Sequence, residues 1–251
     1  MLNKQINILP TYTDLPRAIK STYAIPRIYL YHLEVYLNEI KKHNKIIFSP
    51  KFPYTNKQEY ILTYTNDKLI YLERDIERVN VFEIEFDQIM MIRLSEDLLD
   101  AKYIIYYMDD YILGTLEISF NKAAYQLYED IFDVILKVDK SPRDNRSYEL
   151  KHSHPVLYNY AYKALKLGSI KRYNYYDVYY VNRDKRVVNT EILSLELNKG
   201  RALITKDLTR VDTWFILKDQ VKLNISNNYG LRNLSIEILD QEVLNIKDIK
   251  N

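Results

Sequence analysis

The spacing of apolar and polar positions along the chain changes character several times, and each change marks an element. Pro10, Pro16 and Pro26 interrupt the first stretch, since proline lacks a backbone donor and restricts the residue before it. Pro26 suits the first turn of a helix, and Leu30, Leu33, Leu37 and Ile40 then recur at offsets of three and four, which predicts a helix to about His43. Lys41, Lys42 and His43 fall where the helix dipole favours positive charge. After a Ser49-Pro50-Lys51-Phe52-Pro53 loop the period drops to two. Strands are predicted over 59–63 and 69–72, on either side of Thr65-Asn66-Asp67, and over 81–86, where Val81, Glu83 and Glu85 alternate with Phe82, Ile84 and Phe86. Further strands over 89–94 and 103–107 lead to an Asp109-Asp110 turn and a return strand over 112–118. Helical spacing then resumes: Phe120, Ala124, Leu127, Ile131, Val134 and Ile135 predict one apolar face, with Ser119 or Asn121 as N-cap.

The polar, turn-forming run Lys140-Ser141-Pro142-Arg143-Asp144-Asn145 predicts a linker. Pro155 opens a short helix that stops at Gly168, a left-handed C-cap position. Strands follow over 173–181, 192–197, 202–205, 208–214, 221–225 and 234–239, the last two flanking a hairpin turn at Asn227-Asn228-Tyr229-Gly230. Four segments result: an N-terminal arm and helix (1–50), a β-rich domain with its closing helix (51–139), a linker and short helix (140–168) and a second β-rich domain (169–251). Two short matches point to a divergent repeat. Ile61-Leu62-Thr63 before Asp67 is similar to Leu203-Ile204-Thr205 before Asp207, and Phe86-Asp87-Gln88-Ile89 to Lys218-Asp219-Gln220-Val221.

Composition removes several chemistries. The 251 residues contain no cysteine, which excludes disulfide scaffolds, thiolate metal sites and cysteine nucleophiles. The four glycines stand isolated at 114, 168, 200 and 230, so neither a Gly-rich dinucleotide loop nor a P-loop is present. At a formal net charge of +2 the chain as a whole attracts neither nucleic acid nor anionic membrane. No apolar run approaches a membrane span, and Met1–Gln5 leads into no signal-type apolar region, so the expected address is cytoplasmic.

Residues 59–137, read as strand, Thr65-Asn66-Asp67-Lys68-Leu69-Ile70-Tyr71 turn and strand, then Phe82-Glu83-Ile84-Glu85-Phe86-Asp87-Gln88-Ile89 and an amphipathic helix, resemble the bacterial PH-like domain family. The resemblance implies an α+β architecture in which a bent antiparallel β-barrel is plugged by its C-terminal helix, leaving no cleft for chemistry. It also implies a binding function, since such folds mostly bind rather than convert. A lipid headgroup suits this segment poorly: between 83 and 133 twelve acids stand against Arg93, Lys102 and Lys122.

Three constellations invite a chemical reading. Tyr107-Met108-Asp109-Asp110 resembles the palm motif of reverse transcriptases, where paired carboxylates hold magnesium for nucleotidyl transfer. A third carboxylate strand and the other motifs of that family are missing, so the pair reads first as a hairpin tip. His152 and His154 flank one residue on a loop without an evident third ligand, which does not define a metal site. The segment 141–186 is basic and rich in tyrosine; Lys171, Arg172, Tyr175, Tyr176, Tyr179, Arg183, Lys185 and Arg186 form the candidate interaction surface. Basic and aromatic residues together suit single-stranded nucleic acid, although alternating tyrosines are also ordinary strand formers. Alternatively, the acidic first half and basic second half pack on each other or pair between copies. Trp214, the single tryptophan, reads as a core anchor. The sequence thus predicts a non-catalytic scaffold without cofactor or metal. Its expected partner is protein, including a second copy of itself; nucleic-acid binding through 171–186 is the alternative, and nucleotidyl transfer at Asp109 and Asp110 a remote one.

Overall fold

A computed structural model describes residues 15–43, 45–51, 58–76, 78–138, 145–181, 184–226 and 233–247. The expected linker core at 140–144, the turn at 227–230 and Arg183 lie outside the described residues. The architecture is mixed α+β, built on antiparallel sheets of five, seven and three strands. Among the described residues the strands form no closed barrel, and no helix is long and apolar enough to cross a membrane. The chain divides into two compact units, Met1–Glu85 with Ala123–Ile131 and Phe86–Lys122 with Phe132–Asn251.

The first unit holds the five-stranded meander β1 (Arg17–Ile19), β2 (Ile46–Ser49), β3 (Glu59–Tyr64), β4 (Lys68–Asp75) and β5 (Arg78–Glu85). The helix expected from Pro26 is two pieces, α1 (Arg27–Leu33) and α2 (Leu37–His43), joined by a 3₁₀ turn over Glu34–Tyr36. Their buried residues Tyr29, Leu33 and Ile40 pack with Ile46, Phe48, Ile61, Ile70 and Leu72, which alternate along three strands and so share one sheet face. The intervening residues Tyr60, Leu62, Leu69 and Tyr71 are buried too. The Tyr60 hydroxyl meets that of Tyr128, on the helix α3 (Tyr125–Ile135), at 2.6 Å. Burial pushes both hydroxyls well above the usual phenol range.

The second unit contains the meander β6 (Ile89–Glu96), β7 (Asp100–Asp109) and β8 (Ile112–Asn121), and the meander β9 (Ile170–Val181), β10 (Val187–Leu197), β11 (Gly200–Lys206) and β12 (Val211–Ile216). One seven-stranded sheet joins them because β6 pairs with β12, setting Glu96 against Val211, Arg93 against Trp214 and Met91 against Ile216. On one face Met91, Val178, Ile192, Leu203, Trp214 and Ile216 share a core with residues of the third sheet, β13 (Val221–Ser226), β14 (Asn233–Ile238) and β15 (Gln241–Lys247). Trp214 is fully buried, with the Arg93 guanidinium 4.4 Å from its ring, as a core anchor should be. The helices α4 (Asn145–Ser153) and α5 (Pro155–Ala164) precede β9, and α5 packs along β11 and β12. Gly168 closes the 3₁₀ turn after α5 at φ +112°, ψ −170°, a region open essentially to glycine alone. At Gly200, φ +156°, an added Cβ would sit 2.7 Å from the Ile216 carbonyl oxygen.

Most predicted strands are present, with differences at the ends. Phe120 belongs to β8 and not to the helix, because the strand continues to Asn121 and a 3₁₀ turn at Lys122–Ala124 precedes α3. Tyr128 and Phe132 carry the buried face of α3 alongside Ile131 and Ile135, whereas Val134 is exposed. Phe132 stacks on Tyr103 with ring centroids 3.5 Å apart. Residues after Asp240 form β15, a strand that the apolar pattern did not announce.

The strands β2–β5, which β1 extends to five, and the strands β9–β12 are each followed by a turn containing Asp-Gln and a three-strand meander (β6–β8, β13–β15). The match of Asp87-Gln88 to Asp219-Gln220 therefore falls at corresponding turns. The Ile61–Thr63 match does not, since it leads into the third of the strands β2–β5 but the fourth of β9–β12.

Candidate functional site

Four hairpin turns of the second unit fall into two kinds. β7 to β8 turns through Asp110 and Tyr111, at φ +44° and +68°, and β14 to β15 turns through Leu239 and Asp240, at φ +50° and +62°. Two successive positive φ values define the type I′ geometry that normally selects Asn-Gly or Gly-Gly. Neither turn contains glycine. Tyr111 and Leu239 thus occupy left-handed positions that disfavour large side chains.

Those two tips meet the Asp-Gln turns. Asp87, Gln88, Met90, Met108, Asp110, Tyr111, Lys218, Gln220 and Leu239 line a cleft of about 550 Å³. The Met108 amide donates to the Gln88 carbonyl at 3.0 Å and the Leu217 amide to the Met90 carbonyl at 3.1 Å, which fixes the walls to the sheet. Asp87, Asp110, Gln220 and Tyr111 are exposed, while Met90 is buried at the base. A cleft therefore stands beside the 59–137 segment, with turns from the second half of the chain supplying one wall. Asp109 and Asp110 are both exposed at the hairpin tip. Among the described residues no group of three His, Asp or Glu side chains stands close enough to hold a metal ion.

The second kind of hairpin lies at the opposite end of β6. The β6–β7 turn is closed by the Asp97 amide donating to the Asp100 carbonyl at 2.9 Å, and the β11–β12 turn by the Asp207 amide donating to Arg210 at 3.0 Å. Asp97 and Asp207 also accept from the backbone of their own turns, Leu98 N at 2.7 Å and Arg210 N at 2.8 Å. None of the tip residues 98, 99, 208 and 209 has positive φ. Pairing of Glu96 with Val211 sets the two turns side by side, and the Arg210 Nε–H donates to Ser95 Oγ at 2.9 Å across the seam. At their tips Leu98, Leu99 and Leu208 are 80, 74 and 95 % exposed. Three leucines thus stand exposed on two neighbouring turns, an unusual density of apolar side chains in water, and the same turns carry Asp97, Asp100, Asp207 and Arg210.

The basic candidate surface falls on β9, an end strand of the sheet, and on the turn after it. Lys171, Arg172, Lys185 and Arg186 are exposed. The tyrosines divide by alternation. Tyr176 and Tyr180 pack against the core beside Val178, whereas Tyr175 points to the helical side, its ring 4.1 Å from that of His154. Tyr175 also donates to Glu191 at 3.4 Å; Tyr179 is half-buried on the same strand. The rings do not form one continuous stacking row. His152 is exposed at the end of α4, apart from the stacked His154.

Opposed charges do meet inside the chain. Lys163 reaches Glu96 at 2.5 Å and Lys166 reaches Asp133 at 2.6 Å, so part of the basic block neutralises part of the acidic one. Glu96 is buried and also lies 3.5 Å from Lys122, as a buried carboxylate requires company. On the other sheet face Asp212 accepts from Arg93 Nη2 at 2.7 Å and from Arg210 Nε at 3.1 Å. No family model, no curated protein and no solved structure matches the chain.

Proposed function

We propose that this protein is a non-catalytic scaffold of PH-like architecture that binds protein, a second copy of itself first of all, through the leucine-tipped end of its seven-stranded sheet. Antiparallel runs of five and three strands followed by α3, and a second run of four and three strands, support the PH-like reading and its repeat. The observation that carries the function is the exposed Leu98, Leu99 and Leu208 on two adjacent, well-closed turns. An apolar spot kept on a rigid support gains free energy by leaving water against another apolar surface. The three aspartates of these turns outnumber their one cation, Arg210, which disfavours an anionic membrane and favours a protein face. A symmetric pair would bring the same leucines together from both copies.

The test is mass by light scattering at low and at high salt, for the native chain and for Leu98→Asp/Leu208→Asp. Association that survives high salt and disappears in the double variant supports the reading, because apolar contact is not screened. A strict monomer at both salts, or association indifferent to the two substitutions, overturns it.

A further inference from the structure

The cleft at the other end of β6 combines features that none of its elements needs for folding. Two left-handed positions carry Tyr111 and Leu239 where glycine or asparagine would be less strained, and both side chains line the cavity. Two methionines, Met90 and Met108, give it an adaptable apolar base, the kind of surface that accommodates flexible aliphatic groups. Its charge is one-sided at the rim. Asp87 and Asp110 line the cleft, Asp109 and Asp219 are the next residues along the chain, all four are exposed, and Lys218 is the sole cation of the lining. Gln88 and Gln220, from the corresponding turns of the two halves, add amide groups on either side.

We infer that this cleft binds an arginine or lysine side chain of a basic peptide segment. The aliphatic stem of such a residue lies along Met90, Met108 and Leu239, burying apolar surface while its charged head stays at the rim. There the head meets the carboxylates of Asp87 and Asp110 and the exposed ring of Tyr111, which attracts a cation over its face. The volume of about 550 Å³ is that of a small-ligand site, with room for the neighbouring peptide atoms to reach the two glutamines. Lys218 opposes the incoming charge and keeps the affinity moderate. This inference stands apart from the leucine-tipped end, which lies beyond the far end of β6 and is left intact by every variant below.

Fluorescence anisotropy with a labelled Gly-Arg-Leu-Arg-Gly peptide, and with Gly-Glu-Leu-Glu-Gly as its acidic counterpart, tests it on the full chain. The arginine peptide binds and the glutamate peptide does not. Asp87→Asn/Asp110→Asn weakens binding about tenfold, the effect of removing charges near a protein surface. Lys218→Gln strengthens it by roughly threefold, a gain that damage to the fold does not mimic. Tyr111→Gly weakens binding while the unfolding midpoint holds or rises, because glycine relieves the left-handed position. Failure of the native chain to bind the arginine peptide, or binding unmoved by both the Asp and the Lys218 substitutions, overturns the assignment.

Discussion

The two ends of β6 solve the same geometric problem, closing tight hairpins, at opposite local cost. At the leucine-tipped end the backbone stays in ordinary conformations and aspartates satisfy the turn amides, so the unusual feature is confined to side chains that face water. At the cleft end the side chains are unremarkable types and the backbone is unusual, with four residues in the left-handed region and none of them glycine. One end departs from the rules of burial, the other from the rules of backbone preference. A departure that folding does not require points to use, and the kind of departure tells what is used: bare apolar surface at one end, the lining of an open cleft at the other.

The largest expected effect breaks the contrast altogether. Trp214 sits on β12 opposite Arg93, between the two ends, and Trp214→Ala removes the biggest fully buried side chain of the core at a cost of about 3–5 kcal/mol. Urea unfolding should show the unfolding free energy falling by that amount, and both self-association and peptide binding should fall together. A variant that lost only one of them would show that the ends do not share a single support.

A sharper comparison uses one substitution at two tips. Leu239→Gly relieves a left-handed leucine and should stabilise by up to about 1 kcal/mol, whereas Leu208→Gly, at a tip with ordinary φ, should give no gain or a loss of a few tenths. Opposite signs in the unfolding midpoints confirm the contrast, and equal shifts remove it. Smallest of all is an acid effect confined to the cleft end. The hydrogen bond and charge of Lys222, 2.7 Å away, hold the Asp240 carboxyl below its ordinary value of 3.8. Its contribution is therefore present above that value and lost as pH falls below it. The pair is fully exposed, so replacing Asp240 by Asn should only slightly flatten the acid limb of a stability–pH curve.

How much of this was legible in the sequence follows from how each element is buried. The strands β3 to β8 announced themselves because they carry strong apolar runs or alternations, as where Ile84 is buried between exposed Glu83 and Glu85. Four elements went unread: β1 and β2, inside the stretch expected to be an arm and helix, and α4 and β15, for want of such a signal. α4 buries only Ser147 and Leu150 among its described side chains, too few to make a stripe, and in β15 the half-buried Val243 and Leu244 are adjacent, with Ile246 its one buried described side chain, so no period of two shows. On α3 the aromatic rings of Tyr128 and Phe132 turned inward while Val134 faced out, a rotation that the aliphatic spacing alone did not specify. Asp109-Asp110 was legible as a hairpin tip. The cleft beside it was not, because its lining comes from turns near residues 87, 110, 218 and 239, and no local pattern links them. The leucine spot was equally hidden: two short turns become neighbours only through the pairing of β6 with β12.

That pairing has a consequence for how the chain is made. Arg93 and its partner Asp212 are 119 positions apart, so at a synthesis rate of about 5–20 residues per second β6 leaves the ribosome roughly ten seconds before its neighbour exists. Through that interval the nascent first half carries an unpaired, apolar strand edge with nothing of its own to cover it. Maturation of this protein is therefore governed by the arrival of its second half, and truncated or stalled chains are the species that cellular chaperones must hold in solution.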